Sequence, residues 1–97
     1  MSERRVWLVS YDIANPRRWR RVFKLMKRSG EHVQLSVFLC RLTPARMARL
    51  QARLSGLIDP AEDRLLVVEL GSPGSAAARV RSTAAVASLQ PPPPVVV

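Results

Sequence analysis

Apolar and polar residues follow different rhythms in successive stretches of this chain. Val6-Trp7-Leu8-Val9 is an unbroken apolar run with two β-branched residues and one aromatic, the pattern of a strand covered on both faces and therefore central in a sheet. Asp12 falls at its carboxyl end. Asn15 can then cap free N–H groups and Pro16 suits a first turn, so a helix is predicted to begin there. Trp19, Val22, Phe23 and Met26 recur at i, i+3, i+4 and i+7, with Gly30 at the C-cap position. From Glu31 to Leu42 the period shortens to two, with Val33, Leu35, Val37 and Leu39 alternating with Gln34, Ser36, Phe38 and Cys40. One long strand or a tight hairpin near Leu35-Ser36 would both satisfy this pattern. No Asn-Gly turn marks a break, and periodicity alone prefers one strand.

Thr43-Pro44 repeats the cap-and-first-turn signature, and Met47, Leu50, Leu54 and Leu57 follow at helical spacing up to about Gly56. The acids of Ile58-Asp59-Pro60-Ala61-Glu62-Asp63 read as a polar turn rather than a metal site. Arg64 to Leu70 is a third apolar run of strand length. This order predicts an α+β sandwich of ferredoxin-like type over residues 1–71, two helices on one face of an antiparallel sheet. Strands apolar at both parities leave the opposite face in need of a cover, which predicts a homodimer packed through its sheets. Residues 72–97 form a Gly/Ala/Pro-rich tail, with at most a short weak helix between Ala76 and Gln90. Pro91 to Pro94 form a stiff spacer, and Val95-Val96-Val97 has the propensity to add as a strand to a partner's sheet edge.

Charge sharpens this picture. Sixteen Lys+Arg against seven Asp+Glu give a net charge of +9, which implies a polyanionic partner. Fourteen of the sixteen are Arg, suited to bidentate phosphate contacts. The first helix carries Arg17, Arg18, Arg20, Arg21, Lys24, Lys27 and Arg28 with no acid between Asn15 and Gly30, so these seven are the candidate phosphate-binding residues. Arg46, Arg49 and Arg53 extend the positive surface onto the second helix. Asp12 is the only acid between Arg4 and Arg28. It is read either as a carboxylate paired with Arg17 or Arg18 or as a ligand to a divalent metal. One carboxylate alone is a poor Mg²⁺ site, so the metal reading calls for a second Asp12 from another subunit. Cys40 is the single cysteine, which excludes an intrachain disulfide and suits a small core residue. The basic N-terminus has no signal-peptide pattern, no run approaches a transmembrane helix, and a cytoplasmic location is expected.

Val9-Ser10-Tyr11-Asp12-Ile13, Arg17-Arg18, the block from Gly30 through Gln34-Leu35-Ser36-Val37-Phe38 to Cys40, and Leu57-Ile58-Asp59 ahead of Asp63-Arg64-Leu65 together resemble the small subunit of the CRISPR adaptation machinery, CRISPR-associated protein two. The match spans roughly residues 4 to 70. The resemblance implies a ferredoxin-like homodimer in which the long strand breaks into a hairpin near Ser36. Tyr11, Gln34, Ser36 and Phe38 then support the fold or the dimer. It also implies that Asp12 of each subunit faces a shared cleft where Mg²⁺ or Mn²⁺ can be held, making Asp12 the candidate catalytic and metal-binding residue. Members are described both as metal-dependent nucleases, acting on single-stranded RNA or on DNA, and as adaptors that bridge dimers of the CRISPR integrase, CRISPR-associated protein one, along duplex DNA in spacer acquisition. A stand-alone endoribonuclease or nuclease toxin on the same fold is the alternative. An acid often stands in the family where this chain has Leu39.

Overall fold

A computed structural model describes residues 3–90, and the spacer and strand expected over 91–97 lie outside the described residues. The elements run β1 (Arg5–Asp12), α1 (Pro16–Ser29), β2 (Glu31–Gln34), β3 (Val37–Leu42), α2 (Pro44–Leu57), β4 (Arg64–Gly71) and α3 (Pro73–Arg79), followed by a 3₁₀ turn at Ala87–Leu89. All strand pairs are antiparallel, in the order β2-β3-β1-β4. The first six elements are the expected ferredoxin-like βαββαβ arrangement. Asn15 and Thr43 cap α1 and α2, accepting from the backbone N–H groups of Arg18 and Arg46, and a proline begins each helix.

β1 carries a core on each face. On one side Val9, Tyr11 and Ile13 join Phe38 and Cys40 of β3 beneath Val22, Leu25 and Met26 of α1 and Met47, Leu50 and Leu54 of α2. Burying each large aliphatic side chain contributes about 1.5–3 kcal/mol. Burial also pushes the Cys40 thiol up to about 11, as befits an inert core residue. On the other side Val6 and Leu39 pack against Ala76 of α3 and Val86 ahead of the 3₁₀ turn, with Leu8, Val33, Leu70 and Leu89 around them. Leu39, where the family resemblance sets an acid, is 1% exposed in this second core.

The hairpin and the Gly30 cap stand where expected, while the α1 stripe and the tail are corrected. The stretch 31–42 is a hairpin, with Leu35-Ser36 as its turn and Leu35 at φ 37°. Gln34 pairs with Val37, but a bulge brings His32 opposite Phe38 and Glu31 opposite Leu39. A two-residue turn would place odd residues of one strand beside even residues of the other. The bulge cancels that change of parity, so the alternation of two runs through the turn unbroken. The first correction is that α1 is rotated from its expected stripe: Leu25 joins Val22 and Met26 in the core, while Trp19 lies at the edge, 38% exposed. Gly30 ends α1 at the expected C-cap position, in an extended conformation, φ −163°. Its lack of a side chain matters for space, since a Cβ would meet the Cys40 Sγ at 2.5 Å and the Leu39 carbonyl oxygen at 2.7 Å.

The second correction concerns the tail. It supplies two elements that cover the Val6 and Leu39 end of the sheet face for which the strand pattern provides no cover. Glu31 fastens them, accepting from the amides of Ala87 (2.9 Å) and Ser88 (2.7 Å) and from the Ser88 hydroxyl (2.7 Å). Burial alone would raise the Glu31 pKa, but these hydrogen bonds outweigh it and hold the carboxyl below its ordinary value.

The acids of residues 58–63 form a turn and an ion pair. The Asp59 side chain accepts from Ala61 N, and the buried Asp63 accepts from Asp59 N at 2.8 Å and from Arg18 Nε at 2.7 Å. The Arg18 hydrogen bond is the main cause that holds the Asp63 carboxyl below the usual carboxylate range. A carboxylate with a depressed folded pKa adds stability above its unfolded value, about 3.9, and loses it as pH falls through the folded pKa. Asp63→Asn is therefore expected to melt below wild type at neutral pH, with the gap narrowing below about pH 4. Thermal unfolding followed by circular dichroism across that range checks this, and a gap independent of pH would contradict it.

Candidate functional site

Asp12 is the last residue of β1, and its place follows from register. It pairs with Arg64 while Ser10 pairs with Leu66 and Leu8 with Val68, so these residues share the sheet face opposite α1 and α2. The tail covers the Val6 end of that face. Toward Asp12 the face is open, with Leu66 57% and Val68 38% exposed beside a shallow cleft lined by Ser10, Asp12, Arg64 and Leu66.

Asp12 is exposed and has no hydrogen-bond or ion-pair partner among the described residues. The expected pairing with Arg17 or Arg18 is not formed. An accessible carboxylate beside the Ser10 hydroxyl is hard-oxygen chemistry suited to Mg²⁺ or Mn²⁺. No cluster of three His, Cys, Asp or Glu side chains exists among the described residues. Within one chain, Asp12 is the only carboxylate lining this cleft.

Of the seven basic residues predicted to bind phosphate, Arg18 stands apart. Its guanidinium is bound to Asp63 through Nε (2.7 Å) and Nη2 (3.3 Å) and to Glu62 through Nη2 (2.8 Å). The rotation of α1 that lifts Trp19 out of the core turns Arg18 toward the β4 entry, where these acids sit. Its pKa is raised, chiefly by the hydrogen bond to Asp63. Arg18 thus joins α1 to the turn before β4 and is not available to an external anion.

Arg17, Arg20, Arg21, Lys24, Lys27 and Arg28 are exposed, and none has an ion-pair partner among the described residues. Each like-charged pair one turn apart costs roughly 0.2–0.5 kcal/mol. Arg17 adds to this at the positive end of the helix, whose first turn holds no acid. Such a surface is relieved by an external anion. Arg28 also lines a groove of about 310 Å³ between α1 and α2, together with Arg46, Arg49 and Arg53. Sequence alone assigns the α2 arginines to a general positive surface. Their spacing of i, i+3 and i+7 is the available signal that they form one stripe.

Tyr11 and Phe38 stack within the helix-side core at 6.1 Å, and the buried Tyr11 hydroxyl has no partner among the described residues. Ser36 contributes its carbonyl oxygen, which accepts from Tyr11 N at 3.3 Å. Gln34 is exposed at the hairpin and its side chain makes no hydrogen bond among the described residues.

The family model described as "CRISPR associated protein Cas2" matches residues 5–76. A "CRISPR-associated endoribonuclease Cas2" of Geobacter sulfurreducens is 47% identical over 66 residues, covering 68% of this chain and 70% of the relative. One of Rhodospirillum rubrum is 51% identical over 65 residues, covering 67% of this chain and 64% of the relative. The crystal structure of Streptococcus pyogenes Cas2 superimposes with a TM-score of 0.71 at 34% identity, covering 81% of this chain and 99% of that one.

The division of α1 into a structural arginine and a free basic face has a direct test. Arg18→Ala is expected to lower the melting temperature, because it leaves the buried Asp63 carboxylate unpaired. Arg20→Ala combined with Lys24→Ala should leave it unchanged or raise it. Differential scanning calorimetry of the two variants checks this, and an unaltered midpoint for Arg18→Ala would remove the ion pair from the account.

Proposed function

The chain belongs to the CRISPR-associated protein Cas2 family, and from that premise we propose that it is a nucleic-acid-binding subunit of CRISPR spacer acquisition, gripping the sugar–phosphate backbone of duplex DNA. The observation that carries this reading is the unpaired basic face of α1, continued by Arg46, Arg49 and Arg53 in the adjoining groove. Guanidinium forks and ammonium groups on a rigid helix suit phosphate oxygens, and releasing the phosphates' counterions supplies sequence-independent affinity. In this role the subunit is an adaptor, lying along DNA and bridging dimers of the CRISPR integrase, CRISPR-associated protein one.

The proposed working unit is a homodimer formed through the open half of the sheet face. Leu66 and Val68 are apolar, exposed and beside Asp12, so a second copy placed there would bury them and bring the two Asp12 carboxylates together. That pair would hold Mg²⁺ or Mn²⁺ between subunits. When bound, the ion would polarise a phosphate and lower the pKa of a bound water. The chain's own contribution is to orient the two carboxylates from the ends of two β1 strands, with Arg64, the register partner of Asp12 on β4, beside each to neutralise phosphate charge.

A second reading, metal-dependent cleavage of single-stranded RNA, is favoured by the endoribonuclease names of the relatives and by the unpartnered state of Asp12.

Binding to unrelated duplexes across a salt series tests the main reading. Arg20→Ala with Lys24→Ala is expected to weaken all of them equally and to reduce the salt slope by roughly 1 for each phosphate no longer held. An unchanged slope, or weakening confined to particular sequences, would contradict backbone binding. For the second reading, Asp12→Ala should abolish any Mn²⁺-dependent cleavage of single-stranded RNA while leaving the fold intact, and activity that survives would take Asp12 out of the mechanism.

A further inference from the structure

Trp19 is the least economical residue on the helix surface. It has the largest apolar side chain of α1, yet it stays 38% exposed while Val22, Leu25 and Met26 fill the core. It is also ordered by a ring rather than by the core itself. The indole lies flat on Phe23, with centroids 4.8 Å apart and planes inclined by 9°. Phe23 is itself held edge-on by His32 (5.4 Å, 84°) and Phe38 (6.0 Å, 67°), and Lys27 Nζ stands 5.7 Å from its centroid. Trp19 therefore ends a stack that is anchored in the domain. Phe23 covers one face of the indole, and no other aromatic ring lies against the second among the described residues.

A row of cations runs beside this stack. Arg20, Lys24 and Lys27 follow one another at i, i+4 and i+7 next to Trp19 and Phe23, and all three are exposed. A flat π surface alongside a line of positive charge is the pairing that single-stranded nucleic acids require, one element for bases and one for phosphates. Duplex DNA would use only the charged row, because its bases are already stacked on one another.

We propose that Trp19 is a stacking platform for an unpaired nucleobase, with Arg20, Lys24 and Lys27 holding the adjoining phosphates, so that α1 binds single strands as well as duplexes. This rests on the backbone-binding reading above and adds to it a contact that only an exposed base can make. The rigidity of the Trp19–Phe23 pair matters here, since a pre-ordered ring gives up little conformational freedom when a base docks.

The test uses tryptophan emission and three probes of equal length: single-stranded oligoadenylate, an abasic oligomer with the same phosphates, and a duplex. The chain has two tryptophans, and Trp7 is partly buried with its indole N–H donating to the Leu42 carbonyl at 3.0 Å, so Trp7→Phe leaves Trp19 as the sole reporter. Oligoadenylate is expected to quench that emission, while the abasic oligomer and the duplex bind without quenching. Trp19→Ala should weaken oligoadenylate binding roughly five- to hundredfold and leave abasic and duplex binding unchanged, with Trp19→Phe retaining most of the affinity. Equal quenching by the abasic oligomer, or an equal loss for all three probes in Trp19→Ala, would overturn the platform while sparing the backbone grip. Failure of every probe to bind would overturn both. Because the quenching arm keeps Trp19, it gives an answer even where Trp19→Ala does not fold.

Discussion

One strand has to satisfy two cores. β1 is hydrogen-bonded along both edges, to β3 and to β4, and alternate side chains enter opposite layers. Val9 and Tyr11 go beneath the helices, and Val6 goes beneath the tail. Its position is over-determined as a result. The same alternation that sends Tyr11 inward sends Ser10 and Asp12 to the other face, at the end the tail does not cover. The exposed carboxylate is thus a consequence of register, and moving it would require β1 to slip and turn every buried residue outward.

The charges divide by the same logic. The chain can neutralise few of its sixteen basic residues with seven acids, and it uses two of those acids on Arg18, joining the start of α1 to the turn before β4. Glu31 is used differently, as an acceptor for the amides that begin the 3₁₀ turn. Arg5 and Glu69 form a half-exposed pair at 2.9 Å, of a kind worth about 0–1 kcal/mol. With these acids committed to the fold, the outer face of α1 and the α2 stripe remain without internal partners. A surface of this kind is tolerated in the free protein and stabilised on a polyanion.

Much of the structure is legible in the sequence, because local signals and tertiary demands agree. The caps at Asn15 and Thr43, the apolar run in β1 and the stripe Met47, Leu50 and Leu54 point directly to the elements they form. The hairpin is not legible from periodicity, since the bulge before Gln34 restores the alternation that the turn would have broken. The residues resembling the family supply it instead. The exposure of Trp19 is hidden because its spacing fits a core stripe, whereas the helix rotates to bury Leu25 and to bring Arg18 to Asp63. That pairing joins residues 45 apart in sequence, and no local pattern records it. The tail is hard to read for a related reason. Ala76 and Val86 are weak apolar signals on their own, and they become core residues only because Leu39 and Val6 lie opposite them.

The central proposal is that Asp12 is half of a divalent-metal site completed by a second copy of the chain. It joins the position of the carboxylate at the open end of the sheet, the exposed Leu66 and Val68 beside it, and the lack of any further acidic cluster among the described residues. Titration of the protein with Mn²⁺, following free ion by electron paramagnetic resonance and association state by sedimentation, measures it directly. The account predicts one bound ion per two chains, tighter dimerisation when the ion is present, and loss of both in Asp12→Asn. One ion per chain, or Mn²⁺ binding that is the same in Asp12→Asn, would contradict it.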